Sequence, residues 1–139
     1  MTFTGGCYCG ELRYEVNGEP VVRAICLCRE CQRIAGGGPN YSMTVLAQSF
    51  AYTLGKPKIF ARSDIDPAVG REFCGTCGTH VAVRSPRSPG NVIVKVGSLD
   101  DPDVYGMPAV AVYASEAQPY HCIPEGVAKF DKFPPRPLK

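Results

Sequence analysis

The residues Leu12-Arg13-Tyr14-Glu15-Val16 alternate apolar and charged positions, the period of a strand with one buried face. Asn17-Gly18 follows as a turn signal, and Val21-Val22-Arg23-Ala24-Ile25 is the expected hairpin partner, which would deliver Cys26 at its end. Further strands are expected at 41–46, 51–54, 58–61 and 80–84, and Arg71-Glu72-Phe73 runs into Cys74. The valine-rich runs 91–96 and 109–113 are the strongest β signals in the chain. Residues 29–35 suit a short helix, stopped by Gly36-Gly37-Gly38-Pro39. Residues 63–70 and 85–90 read as loops, and the proline-rich stretch from Pro119 as extended surface chain. Fifteen glycines and 13 prolines spread along the sequence fit many short strands joined by turns. With no repeat, low-complexity segment or long linker, residues 1–139 are expected to form a single, mainly β domain.

Charge narrows the function classes. The net charge is +2 and the basic residues are scattered, which argues against a nucleic-acid surface. No apolar stretch approaches the length of a membrane span, and the N-terminus lacks a basic start followed by an apolar run. The glycines at 36–38 come with no Walker lysine, so a nucleotide-binding loop is not expected. The expected setting is cytoplasmic, where thiols stay reduced.

That setting changes how the eight cysteines are read. Seven fall into local groups: Cys7-x-Cys9, Cys26-x-Cys28-x-x-Cys31 and Cys74-x-x-Cys77. Clustered reduced cysteines at these spacings point to metal rather than disulfides. Cys9 and Cys77 each precede a glycine, which lets the backbone bend so that N–H groups face the sulfurs. Cys7, Cys9, Cys74 and Cys77 therefore read as a closed four-thiolate site that contributes folding free energy, although Cys28-x-x-Cys31 competes for either pair on spacing alone. Cys26, Cys28 and Cys31 supply three of zinc's usual four ligands. The fourth position is either open for chemistry or filled by Cys122, His80 or His121. Cys122 otherwise reads as a buried core thiol and His80 as a strand-end residue. Arg29 and Arg33 stand close enough in sequence to offset the thiolate charge or hold an anionic substrate.

The segments Gly5-Gly6-Cys7-Tyr8-Cys9-Gly10-Glu11-Leu12, Cys26-x-Cys28-x-x-Cys31 with Gly36 behind it, and Phe73-Cys74-Gly75-Thr76-Cys77-Gly78-Thr79 carry a resemblance. Together they resemble the glutathione-dependent formaldehyde-activating family, also called GFA or centromere-protein-V-like, over nearly the whole chain. The resemblance implies an Mss4-like fold of several coiled antiparallel β-sheets with short helical turns, stapled by zinc. It implies two Zn2+ per chain, one structural on Cys7, Cys9, Cys74 and Cys77 and one catalytic on Cys26, Cys28 and Cys31. It further implies a carbon–sulfur lyase that forms or breaks S-hydroxymethylglutathione-like adducts, with a small thiol, such as glutathione, and a small aldehyde as partners. A non-catalytic zinc-binding interaction module of the same fold is the alternative. Relatives often carry a tryptophan near the C-terminus; this chain has none, and Tyr120, ahead of Ile123-Pro124-Glu125-Gly126, stands in that region.

Overall fold

In the computed structural model, which describes residues 1–135, eleven short strands and one α-helix follow in order, with four single-turn 3-10 helices between strands. The strands are β1 (Thr2–Gly6), β2 (Arg13–Asn17), β3 (Val22–Cys26), β4 (Asn40–Leu46), β5 (Phe50–Leu54) and β6 (Lys58–Phe60). They continue with β7 (Gly70–Phe73), β8 (His80–Arg84), β9 (Asn91–Lys95), β10 (Val110–Val112) and β11 (Ala128–Lys129). Helix α1 (Arg29–Ile34) sits between β3 and β4. The last four residues of the proline-rich tail, 136–139, lie outside the described region.

The strands form two sheets. One has the order β1-β2-β5, the other β11-β10-β3-β4-β9-β8-β7-β6. Pairing is antiparallel throughout except at β10, which lies parallel to both β3 and β11. Alternation explains the packing. Tyr14 and Val16 of β2 point inward and are fully buried, while Arg13 and Glu15 between them are partly exposed. They meet Met43, Val45, Val92 and Val94, which project from one face of the large sheet. A smaller cluster of Ile25, Leu27, Ala111 and Val127 continues that core under β10.

The expected hairpin between residues 12–16 and 21–25 does not form. β2 pairs with β1 and β5, whereas β3 crosses into the other sheet and pairs with β4 and β10. Both edges of β2 are already occupied, and Pro20 lacks the N–H needed to extend a ladder out of the turn. The competitor is β1, whose five residues are too few and too glycine-rich to announce a strand. Its short Thr-Phe-Thr alternation buries Phe3 between exposed threonines.

Gly5 is required where β1 crosses the core. A Cβ there would lie 2.2 Å from the Tyr14 hydroxyl oxygen and 2.3 Å from the Ser98 carbonyl oxygen. Tyr14 cannot retreat easily, because it is buried and its hydroxyl is hydrogen-bonded to Ser98 Oγ at 3.0 Å. Gly5→Ala is expected to destabilise the protein by about 1–3 kcal/mol through overpacking. Denaturant melts check this: Gly5→Ala lowers the midpoint, whereas Gly97→Ala, where an added Cβ meets nothing, leaves it nearly unchanged.

Candidate functional site

Two cysteine clusters form, the first from distant parts of the chain and the second from one short stretch. The first joins a turn between β1 and β2 to a turn between β7 and β8. The turns share one construction. Cys7 N–H donates to Leu12 O at 2.9 Å and Gly10 N–H to Cys7 O at 3.2 Å. Likewise Cys74 N–H donates to Thr79 O and Gly78 N–H to Cys74 O, both at 2.9 Å. Gly10 and Gly78 close them at φ of 85° and 78°, in the left-handed region that glycine enters without strain. Each bend aims backbone N–H groups at sulfur: Leu12 at Cys7 Sγ, 3.2 Å, and Thr76 at Cys74 Sγ, 3.4 Å. Tyr8 N–H donates to Thr79 Oγ1 at 3.1 Å and ties the turns together.

The four sulfurs of Cys7, Cys9, Cys74 and Cys77 lie within 4.8 Å of one another. Cys7 and Cys9 are 3.5 Å apart, Cys9 and Cys74 3.8 Å. Those separations are far beyond the about 2.05 Å of a disulfide, and all eight cysteines are free. They suit the about 3.8 Å edge of a tetrahedron with zinc–sulfur bonds of about 2.3 Å. Hydrogen bonding from Thr79 pulls the Cys77 thiol down to about 5, which favours the anionic form that a metal needs. The donor set thus fits a closed metal site, as its spacing and glycines suggest.

The second cluster forms where β3 runs into α1. Cys26 ends the strand, Cys28 caps the helix and Cys31 lies in its first turn. The Cys28 sulfur takes the capping role usually played by Ser or Asp, accepting from Cys31 N–H at 3.4 Å. Gln32, 1% exposed, locks this corner by donating to Leu27 O at 2.7 Å and to Glu116 O at 2.8 Å. The three sulfurs lie within 4.8 Å of one another. Hydrogen bonds from Cys26 and Cys31 hold the Cys28 thiol far below its usual range, to about 2. Cys26 is pushed up, first by its bond to Cys28. Without a cation one thiol of the three ionises at the expense of its neighbours, and a bound metal ion relieves that conflict.

No fourth Cys, His, Asp or Glu ligand atom joins these three among the described residues. His121 is occupied: Gln118 N–H donates to its Nδ1 at 2.9 Å, and Nε2 bonds Gly37 O at 2.7 Å. His80 stacks on Phe73 at 5.6 Å, a strand-end residue as read. Cys122 is exposed, not the buried core thiol expected. The segment holding it forms no strand, and its core contacts come from Ile123 and Val127 instead.

The three-cysteine cluster opens onto a cavity of about 670 Å³. Strand register defines its floor, the face of the large sheet turned away from the core. Val112, Cys26 and Asn40 stand side by side across β10, β3 and β4. Two residues further along come Val110, Ala24, Ser42 and Lys95. Next come Val22, Thr44, Ile93 and Val83. This register explains the buried polar residues Asn40, Ser42 and Lys95, which face the cavity rather than the core.

Lys95 is the main residue that sequence reading missed. It is 7% exposed, and its Nζ donates to Asn40 Oδ1 at 2.8 Å. Burial pulls the ammonium below the ordinary lysine range, a pull opposed by the nearby Cys31 sulfur. The sequence carried one signal for it: a lysine at the far end of an alternating valine strand, in phase with Ile93 and out of phase with Val92 and Val94. Arg29 reaches the cavity as expected and is hydrogen-bonded to Gln32. Arg33 is exposed and does not line it. Arg71 does line it, paired with Glu30 of α1 at 3.0 Å. Tyr120 is 69% exposed and outside the cavity, whose aromatic wall is Tyr113 and Phe133.

A mainly β fold with two cysteine clusters, one complete and one opening onto a cavity, defines a protein equipped to hold metal ions in two distinct settings. The sequence model of the glutathione-dependent formaldehyde-activating enzyme family matches residues 2–116, a span that includes all seven clustered cysteines, and the chain belongs to that family. Its fold is similar to the crystal structure of a Rhodobacter sphaeroides protein, with a TM-score of 0.60 and 21% identity. That similarity covers 76% of this chain and 96% of the other. No helix among the described residues is long and apolar enough to cross a membrane.

Proposed function

We propose that this chain is a zinc-dependent carbon–sulfur lyase-type enzyme that forms or breaks adducts of a thiol and a small aldehyde, of the S-hydroxymethylglutathione kind. The observation that carries the proposal is the contrast between the clusters. Four sulfurs complete one site, while three sulfurs without a fourth described ligand face a large cavity. In this reading Cys7, Cys9, Cys74 and Cys77 hold a structural zinc, and Cys26, Cys28 and Cys31 a catalytic one. Zinc held by three thiolates supplies an open position and Lewis acidity toward a thiol or a carbonyl oxygen.

The protein's own groups do the rest. Gln32 and the Cys28 cap fix the three sulfurs on a rigid corner. Lys95, oriented by Asn40, presents an N–H donor on the same face as the cysteines. That donor can hold the oxygen on which charge develops as the carbon–sulfur bond forms, in a partly dry site where such a contact is strongest. Arg29 at the cavity wall offers a cation for a substrate carboxylate.

Formaldehyde and glutathione combine unaided, so an end-point assay cannot test this. NMR exchange spectroscopy measures the rate instead. Zinc-loaded protein is expected to raise the exchange rate above background. Lys95→Met is expected to reduce that acceleration by about 10²-fold, with the fold intact because methionine fills the buried stem's space without leaving a charge unpaired. Background exchange across several thiols and aldehydes, with both clusters loaded, contradicts the enzyme reading and favours an interaction module.

A further inference from the structure

The cavity's outer part differs in chemistry from its cysteine end. Beyond the row of Cys26, the floor is largely Ala24, Val22, Val110, Ile93 and Val83, interrupted by Ser42, Thr44 and, at its β9 edge, Lys95. From Cys26 to Val22 this floor runs about 13 Å along β3. The chain's own C-terminal segment forms a wall above it. Tyr113 N–H donates to Lys132 O at 3.2 Å, and Phe130 N–H to Ala111 O at 2.9 Å, which lays the segment against β10. Phe133 then packs edge-on against Tyr113 at 5.1 Å and under the Arg87 guanidinium at 4.3 Å, spanning from the β10 side to the loop after β8. Phe133 and Pro134 line the cavity and lie beyond the span matched by the family model.

Arg29 offers this lining a cation for a substrate carboxylate, but the ammonium of a tripeptide thiol meets acidic groups that are already engaged. Of the cavity's acidic groups, Glu30 is engaged by Arg71 and Arg62, and Glu116 accepts the Arg29 backbone N–H at 3.2 Å. A substrate ammonium would have to compete for them. A hydrocarbon body, by contrast, finds a valine and isoleucine floor under an aromatic wall.

We infer that the preferred substrate is a hemithioacetal whose body is apolar, an alkyl or aryl chain lying on the Val22–Val110–Ile93 floor against Phe133, with its thiol–carbonyl junction at the cysteine end. The inference rests on the lyase reading above. The reaction balances without an oxidant: the thiol sulfur bonds the carbonyl carbon, the carbon–oxygen π bond opens, and the thiol proton ends on the oxygen. The body can belong to either half of the adduct.

The test uses the full zinc-loaded chain and exchange spectroscopy in two arms: formaldehyde with alkanethiols of increasing length, and glutathione with straight-chain aldehydes of increasing length. Catalysed exchange is expected to rise about three- to four-fold per added CH₂ in at least one arm, and the rising arm identifies the half that carries the body. Acceleration of glutathione and formaldehyde with no rise in either arm overturns the inference and leaves the lyase reading standing. Absence of acceleration in every pair overturns the lyase reading. A binding series then decides the apolar site separately, using S-methyl to S-hexyl thioethers by saturation-transfer NMR. Affinity rising with chain length, and falling several-fold for the hexyl probe in Phe133→Ala, supports it. Equal affinity along the series overturns it. Phe133 is 46% exposed, so this variant is not expected to unfold the protein.

Discussion

Cys7→Ser and Cys77→Ser are expected to unfold the domain or shift its melting far downward, whereas Cys28→Ser melts close to wild type. The difference follows from where the sulfurs sit. Cys7 and Cys77 belong to neighbouring turns contributed by the two sheets, Cys7 after β1 of the small sheet and Cys77 before β8 of the large one. A metal across them clamps residue 7 to residue 77 and closes the intervening chain into a loop. Closed zinc–thiolate sites contribute about 10–16 kcal/mol of apparent binding free energy, as much as the about 5–15 kcal/mol of a whole domain's stability. Losing one ligand from such a site therefore outweighs most packing. Cys28 is different: it occupies a helix N-cap position, and serine is itself among the best residues there. The Cys28→Ser helix keeps its cap while the second metal site loses a ligand. Thermal melts of the three variants with zinc content measured alongside decide the matter. Equal collapse of all three contradicts the division into a structural and an open site.

Chelation is expected to proceed in two stages. A mild chelator should remove the metal of the three-cysteine site first, because three protein sulfurs hold it rather than four and the cavity admits competing ligands. At that stage one zinc per chain remains, circular dichroism is unchanged, and catalysed exchange falls to background. Returning zinc restores it. The second stage needs a stronger chelator or acid, which protonates the thiolates of the closed site, and it coincides with unfolding. Starting protein prepared with reductant should hold about two zinc ions per chain, one for each cluster. Loss of both metals in a single step together with the fold contradicts the scheme.

The cysteine turns were legible in the sequence because their information is local. C-x-C-G and C-x-x-C-G each describe one turn, and each turn forms as its spacing and glycine imply. The strands 80–84 and 91–95 were legible for a related reason, since alternation and valine content act within a few residues. Sheet membership was not. Whether β2 pairs with 2–6 or with 21–25 depends on which long-range partner fills its edge, and Asn17-Gly18 signals a turn in either case. Lys95 and Arg71 were hidden for the same reason. Their roles depend on register: Lys95 stands beside Ser42 and Arg71 beside Val83, pairings that no local pattern reveals. The wall made by Phe133 lay hidden because a proline-rich tail shows no period, and its position follows from backbone bonds to 111 and 113.

The most direct measurement is a crystal structure of the zinc-loaded protein with anomalous data collected at the zinc edge. The expected result is one zinc on the sulfurs of Cys7, Cys9, Cys74 and Cys77, and a second on Cys26, Cys28 and Cys31 with a water or added thiol as its fourth ligand facing the cavity. A fourth ligand drawn from the protein at the second zinc, whether Cys122, His80, His121 or another side chain, would close that site and contradict its catalytic role.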